Sequence, residues 1–387
     1  MRIAIFGGSF NPPHLGHREV AKNVSEKLDP DLFLIIPDNI PPHKEMDDGS
    51  PSAKERFELC TLNFNDIKNV KVSDIEINRD GKSYTADTIK LLREIYPDDE
   101  FYFVMGTDML LSFEEWYQYK YLLEQMNLVV LSRNSNDSSD ILSAANCLRD
   151  KYDAKINFID EEPSPMSSSE IRSMLKLRTG SSYLKDEVYS QIVKNRLYNA
   201  QVELYWLREK VYELLNPNRV AHVAGVETEA FQLAKVWGED PEKAAEAGIL
   251  HDITKKLKYE EQLILFDKYG IIKSDAILNN PKLLHPITGA ELSKDLFGVC
   301  SDVYNAILWH TTGKPDMTLL EKIIYLADYI EPNRDFPGVD NLRKLAYENI
   351  DEAMRTGLEM SIEDIKSRGE EPYHITIEAF EWYNRKE

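Results

Sequence analysis

The chain is poor in cysteine, in positive charge and in long apolar runs. Its three cysteines, Cys60, Cys147 and Cys300, lie far apart with no C-x-x-C spacing. A disulfide scaffold and a thiolate zinc site are therefore both disfavoured. Lysine and arginine number 46 against 67 acidic residues, a net charge of −21. Such a surface repels a phosphate backbone, so any nucleotide must meet positive charge concentrated in a site. No apolar stretch approaches the ~20 residues needed to cross a bilayer. The N-terminal run ends at Gly7-Gly8, too short for a signal-peptide core. A soluble, cytoplasmic protein is expected. There is no Gly/Ser-rich tether, internal repeat or low-complexity tract.

At roughly 100–200 residues per domain, a chain of this length predicts two domains. The two halves differ in rhythm. Short apolar runs at Arg2–Phe6, Leu32–Ile36, Val70–Ile75, Phe101–Met105, Leu128–Leu131 and Ile156–Ile159 read as buried strands. Helical patterns separate them, at Leu15–Lys27, Ala53–Asn63, Thr85–Ile95 and Ser138–Lys151. This alternation predicts an α/β domain with a doubly wound parallel sheet, residues 1–197, closed by helices at Ser167–Lys176 and Asp186–Asn195. From Glu203 the pattern is helical throughout, which predicts an all-α domain over 203–387, with one long final helix at Val339–Arg368. The connection near Arg196–Val202 is short.

Chemistry concentrates first in Gly7-Gly8-Ser9-Phe10-Asn11-Pro12-Pro13-His14-Leu15-Gly16-His17. This segment follows the first strand and opens the first helix. Glycines let backbone N–H groups approach an anion, and a helix start adds a positive field. His14 and His17, three apart, share a face of the first turn. Imidazoles there can donate to a phosphate whose charge grows in a transition state. No G-K-[ST] follows, so this is not a P-loop.

This segment resembles the signature of bacterial nicotinate-nucleotide adenylyltransferases within the nucleotidyltransferase superfamily. Four further pieces match in order over about 195 residues: Pro41-Pro42-His43-Lys44, Ser83-Tyr84-Thr85-Ala86-Asp87-Thr88, Gly106-Thr107-Asp108 with Trp116, and Ser167-Ser168-Ser169-Glu170-Ile171-Arg172. The resemblance implies transfer of AMP from ATP, carried with Mg2+, to nicotinate mononucleotide, giving deamido-NAD and pyrophosphate. His14, His17, Lys44 and Arg172 would be catalytic. Gly7, Gly8, Ser9, Phe10, His43, Thr85, Gly106, Asp108, Trp116, Tyr117, Ser168 and Ser169 would bind nucleotide. Thr85 at a helix start suits the nicotinate carboxylate, and Trp116 and Tyr117 offer flat faces to the pyridine ring. Ser169 is expected to cap the helix that carries Arg172 to the ATP phosphates.

The helical half holds His222, the doublet His251-Asp252, His285, His310 and Asp328, all among apolar residues. Buried imidazoles and carboxylates need partners, and together they suit transition metals. The order H…HD…H…H…D resembles the HD-domain metal phosphohydrolases. In that reading His222, His251, Asp252 and Asp328 form one metal site, and His285 and His310 add ligands for a second, with Asp252 bridging. Two transition-metal ions would polarise a phosphoryl group and activate water; such ligands accept iron, manganese and other ions. Lys255 would hold a substrate phosphate.

His310-Thr311-Thr312-Gly313 and Ala327-Asp328-Tyr329-Ile330-Glu331-Pro332-Asn333-Arg334 narrow the resemblance. They are similar to the YqeK-like family of symmetrical diadenosine tetraphosphate hydrolases, which implies a phosphate contact for Arg334. The expectation is a bifunctional enzyme. Its partners would be ATP, nicotinate mononucleotide and dinucleoside polyphosphates, with no nucleic acid and no membrane. A homo-oligomer is compatible with either half. The rivals are a transferase taking the amidated mononucleotide, and a helical half that acts on another nucleotide or serves as a metal-stabilised sensing module.

Overall fold

Alternate residues of the apolar runs belong to two separate cores. Ile3, Ile5, Leu34, Ile36, Phe103, Met105, Leu128 and Val130 pack on one side, and Ala4, Phe33, Ile35, Val104 and Val129 on the other. Such runs have no solvent face, as strands covered by helices on both sides require. A computed structural model describes residues 1–42, 45–132, 139–160, 166–278 and 280–385. It divides into two compact units, Met1–Gln201 and Val202–Glu387.

The first unit is a six-stranded parallel sheet with order β3-β2-β1-β4-β5-β6. Its strands are β1 (Arg2–Gly8), β2 (Leu32–Pro37), β3 (Val70–Val72), β4 (Glu100–Gly106), β5 (Met126–Ser132) and β6 (Ile156–Asp160). The crossovers carry α1 (Leu15–Leu28), α2 (Ala53–Phe64), α3 (Thr85–Ile95), the short α4 (Thr107–Leu111) and α5 (Tyr119–Gln125), and α6 (Ser139–Tyr152). Helices α7 (Ser168–Leu175) and α8 (Asp186–Lys194) close the unit. The strand order reverses between β1 and β4. That switch point opens a crevice beyond the carboxyl ends of the strands, where open α/β sheets bind ligands.

The second unit is entirely helical among the described residues: α9 (Leu204–Leu214), α10 (Pro217–Trp237), α11 (Pro241–Leu250), α12 (Tyr259–Tyr269), α13 (Asp275–Leu278), α14 (Leu284–Phe297), α15 (Ser301–Trp309), α16 (Leu319–Ile330), α17 (Val339–Glu348), α18 (Ile350–Ser367) and α19 (His374–Asn384). Pro217 and Pro241 occupy first-turn positions behind the caps Asn216 and Asp240, where a missing N–H costs nothing. Among the described residues, no helix is long and apolar enough to cross a membrane.

The expected single helix over Val339–Arg368 is two. Asn349 leaves helical geometry at φ −153°, ψ 99°, and its side chain accepts the Glu352 N–H to start α18. The apolar period runs unbroken across that cap, which is why the pattern hides it. Strand β3 stops at Val72, short of Ile75, α4 and α5 appear where no helix is expected, and α13 and α19 extend the expected helical half.

Helices α10 and α11 meet at Gly248. A Cβ there would lie 2.9 Å from Glu227 Cα and 3.3 Å from the Val226 carbonyl oxygen. Backbone cannot yield as a flexible side chain can. Gly248→Ala should therefore destabilise the helical unit by about 1–3 kcal/mol through overpacking, read as a lower urea midpoint by circular dichroism. An unchanged midpoint would refute the close crossing.

Candidate active sites

In the first unit, β1 delivers the glycine segment to the switch point and α1 starts on it. His14 is the N-cap: its Nδ1 accepts the Gly16 N–H at 3.1 Å. His17 reaches back, and its Nδ1 accepts the His14 N–H at 3.2 Å. With both Nδ1 atoms accepting, each neutral ring carries its hydrogen on Nε2. The rings lie 3.8 Å apart between centroids. Burial lowers the pKa of His14 to about 4 and, with His14 adjacent, holds that of His17 well below the ordinary value. At pH 7 the helix start thus presents two neutral N–H donors.

Two clefts flank these residues. His14 and His17 line one with Gly106 and Asp108. Asp108 Oδ1 lies so close over Gly106 that a Cβ there would be 2.5 Å away. Gly7, Gly8 and Ser9 line the other with Thr85, Trp116 and Tyr117. Thr85 is the first residue of α3, after Tyr84. The Tyr84 and Tyr117 rings sit 5.0 Å apart, and Trp116 packs against Phe103 and Phe113. Phe10 departs from the expectation. It is 2% exposed and packs against Phe6, His17 and Phe64, so its side chain belongs to the core.

The closing helix also differs. Its cap is Ser167, whose hydroxyl accepts the Glu170 N–H while the Glu170 carboxylate returns to the Ser167 N–H; Ser169 lies inside the first turn. Arg172 does not line the cleft of His14 and His17. It donates to the Asn11 carbonyl at 2.6 Å, to Ser169 Oγ at 3.0 Å and to the Asp47 carboxylate. Ser168 donates to the Pro12 carbonyl at 3.0 Å. Both residues therefore grip the glycine segment from behind. His43 and Lys44 lie outside the described residues.

Arg56, which the motifs do not reveal, is 1% exposed. It donates to the Ser9 carbonyl at 2.6 Å, to the Asp38 carboxylate at 2.9 Å and to the Asp38 carbonyl at 2.7 Å. It pins the glycine segment to the end of β2 and neutralises a carboxylate in the Thr85 cleft. The sequence signal is slight: one arginine on an apolar helical face.

In the second unit, five helices converge on one carboxylate. His222 comes from α10, His251 and Asp252 from the end of α11, His285 from the first turn of α14, His310 from the end of α15 and Asp328 from α16. Asp252 is 1% exposed. Its Oδ2 lies 3.4 Å from His251 Nε2 and 3.9 Å from His222 Nε2. Its Oδ1 lies 3.3 Å from His285 Nε2 and 3.6 Å from His310 Nε2. His222 Nε2 is also 3.1 Å from Asp328 Oδ1. Burial opposes the charge on Asp252, yet its surroundings, His251 foremost, hold the carboxyl well below the ordinary range.

Three observations fit this centre to metal ions. His251 and His310 place Nδ1 on the carbonyls of Gly248 and Ile307, at 2.7 and 2.6 Å, so each Nε2 carries a lone pair. Those Nε2 lone pairs point inward, with His222 and His251 Nε2 3.3 Å apart and His285 and His310 Nε2 3.2 Å apart. Asp252 Oδ1 is buried with no hydrogen-bond partner. Converging imidazole nitrogens around a buried carboxylate suit a cation, although Lys255 and Thr311 already reach the nitrogens of His285 and His310. Two groupings suit one ion each: His222, His251 and Asp328, and His251, Asp252 and His310.

Cations rim the centre. Arg219 donates to Asp252 Oδ2 at 2.7 Å, Arg334 to Asp328 Oδ1 at 2.6 Å, and Lys255 Nζ lies 2.9 Å from His285 Nε2. Burial lowers the Lys255 pKa. Arg219 is absent from the sequence expectation because α10 starts one turn earlier than its apolar pattern indicates. Glu331, also missed, stands 3.1 Å from His222 Nδ1.

Residues 5–174 match the cytidylyltransferase-like family and residues 219–333 the HD domain. The chain is 37% identical over 198 residues to a protein of Carboxydothermus hydrogenoformans named probable nicotinate-nucleotide adenylyltransferase, covering 98% of it and 51% of this chain. It is 38% identical over 175 residues to the symmetrical bis(5'-nucleosyl)-tetraphosphatase of Bacillus subtilis, covering 92% of that protein and 44% of this chain. The crystal structure of a predicted HD superfamily hydrolase involved in NAD metabolism from Clostridium acetobutylicum is similar at 40% identity and a TM-score of 0.46, over 47% of this chain and 96% of that one. The chain belongs through its first half to the nicotinate-nucleotide adenylyltransferase family and through its second to the HD-domain family of the symmetrical bis(5'-nucleosyl)-tetraphosphatases.

Proposed function

We propose that the chain is a bifunctional enzyme that joins AMP from ATP to nicotinate mononucleotide and hydrolyses diadenosine tetraphosphate to two ADP. For the first half, the observation that carries this is the pair of imidazoles on α1, fixed by backbone N–H groups as Nε2 donors at the switch point. The phosphate oxygen of the mononucleotide attacks the α-phosphorus of ATP, and the bond to pyrophosphate breaks. No covalent enzyme intermediate is required. His14 and His17 donate to the charge that grows at phosphorus, while Arg56, Ser168 and Arg172 hold the segment that positions them. Thr85, at a helix start, receives the pyridine carboxylate, and Trp116 and Tyr117 its ring.

One observation favours the amidated mononucleotide as a second reading. Glu76 lines the same cleft as Thr85, where its carboxyl oxygen accepts from Thr88 Oγ1 at 2.6 Å. When ionised it would repel a carboxylate. Competition between the two mononucleotides in kcat/KM decides between them.

For the second half, the carrying observation is that the two oxygens of Asp252 each face a pair of histidine Nε2 atoms. Transition-metal ions, iron or manganese by ligand type, supply Lewis-acid polarisation and water activation when bound. His222, His251, Asp252 and Asp328 would hold one and His285, His310 and Asp252 the other. Arg219, Lys255 and Arg334 then meet the phosphate chain. Water attacks a phosphorus of the central bridge, and the bridging oxygen leaves with the other half as ADP.

The deciding experiment gives the full chain ATP with each mononucleotide, then diadenosine tetraphosphate with added Mn2+ or Fe2+, followed by nucleotide chromatography. His17→Ala should lower adenylyl transfer about a hundredfold or more and leave hydrolysis intact, while Asp252→Ala should do the reverse. AMP plus ATP in place of ADP would contradict symmetrical cleavage, and a folded His17→Ala protein with full transfer would remove the donor role.

The neutral state of His14 has a pH consequence. The unfolded ring takes a proton near pH 6.5, whereas the folded ring resists until about pH 4. Between these values the unfolded state binds more protons, so stability falls as pH falls through that window. His14→Asn keeps a cap acceptor but cannot titrate. Its urea midpoint should decline less steeply from pH 7 to 4 than that of the wild type. Equal slopes would show that His14 takes its proton at the same pH in the folded and unfolded protein.

A further inference from the structure

Among the described residues, His222 is the one imidazole of the helical centre backed by a carboxylate on the nitrogen that faces away from Asp252. Glu331 follows α16 directly and is 1% exposed. Its Oε1 lies 3.1 Å from His222 Nδ1. Its Oε2 accepts the Asn333 backbone N–H at 2.7 Å and the Asn333 side-chain amide at 2.9 Å. Asn333 Nδ2 also reaches the Ala221 carbonyl, so the brace returns to the helix that carries His222. Glycine makes room for it. A Cβ at Gly225, one turn along α10 from His222, would lie 2.4 Å from Glu331 Oε2. A buried carboxylate aimed at a ring nitrogen, with a glycine on the facing helix, has no evident packing purpose.

The other side of the centre is built differently. His310 backs onto a neutral carbonyl, that of Ile307. His285 has Lys255 Nζ 2.9 Å from Nε2, the nitrogen that faces Asp252. Thr311 Oγ1 lies 3.3 Å from the same nitrogen. An ion at His285 and His310 must therefore displace or outcompete an ammonium group for its ligand. One at His222, His251 and Asp328 meets a second carboxylate besides Asp252 and shares their oxygens with Arg219 and Arg334, but a carboxylate oxygen keeps a further lone pair where an imidazole nitrogen has only one. A carboxylate behind a histidine fixes its tautomer and raises its basicity as a ligand, and losing such a partner typically weakens metal binding about 10–100-fold.

We propose that Glu331 is a positioning residue for His222, and that with Lys255 on the opposite side it makes the two metal positions unequal. The His222–His251–Asp328 position is the tight one, and the His285–His310 position is the weak one, filled second. This rests on the reading of the helical unit as a two-metal centre, and goes beyond it by ranking the positions and assigning the cause.

The test needs no substrate. The metal-free full chain is titrated with Mn2+ while the signal of the free ion is followed by electron paramagnetic resonance. The wild type should show two classes of one ion each, differing at least about tenfold. Glu331→Gln should weaken the tight class about 10–100-fold and leave the weak class unmoved. Lys255→Met should strengthen the weak class and leave the tight class unmoved. Gly225→Ala, which crowds the carboxylate from the other helix, should resemble Glu331→Gln. Circular dichroism confirms that each variant is folded; if Gly225→Ala unfolds, Glu331→Gln decides alone. Two equal classes in the wild type, or a folded Glu331→Gln protein with its tight class intact, would overturn the inference while leaving the two-metal reading in place. Fewer than two bound ions would overturn both.

Discussion

The helical unit is organised around the charge of Asp252. A carboxylate buried to 1% exposure would destabilise a fold unless it were paired, and here each oxygen faces two imidazoles within 3.9 Å. The helices that supply those imidazoles are thereby constrained together. Helix α11 must end where it does for His251 and Asp252 to share one turn, and α10 must approach it closely enough that Gly248 has no room for a side chain. Arg219 and Arg334 add charge at the rim without closing it. The centre thus combines a demand for cations inside with a welcome for anions outside, as metal-assisted attack on a phosphate chain requires.

The chain uses one side chain in two opposite states. In the α/β unit, His14 and His17 accept at Nδ1 from backbone N–H groups, which leaves Nε2–H to face an anion. In the helical unit, His251 and His310 place Nδ1 on backbone carbonyls, which leaves Nε2 lone pairs to face a cation. The difference is set by secondary structure. A helix start offers free N–H groups, so histidines placed there become donors at the far nitrogen. A helix end offers free carbonyls, so His251 and His310 keep their Nε2 lone pairs for a cation, whereas His222, inside α10, and His285, in the first turn of α14, are met by the side chains of Glu331 and Lys255 instead.

Much of this was legible in sequence because it is local. Strand and helix periods revealed the α/β half and the helical half, and the spacing of His14 and His17 placed both on one turn. The order of His222, His251-Asp252, His285, His310 and Asp328 was equally plain, since each sits in an apolar stretch, and the structure brings them to one centre. What escaped was tertiary. Arg56, Arg219 and Glu331 act through residues 18 to 109 positions away, and nothing in their own neighbourhoods signals it. The cap of α7 was misplaced because Ser167, Ser168 and Ser169 are equivalent by composition, and only the reach of Glu170 selects the first. The resemblance gives Arg172 a phosphate role, and its guanidinium stands on the Asn11 carbonyl and the Asp47 carboxylate beside the glycine segment.

In the arrangement we propose, Asp252 stands between two cations. Anomalous diffraction from crystals of the full chain grown with Mn2+, collected at the manganese edge, tests this directly. Two peaks should flank the Asp252 carboxylate, one near His222, His251 and Asp328 and the other near His285 and His310. A single peak on one side, or none at saturating Mn2+, would contradict the bridging role.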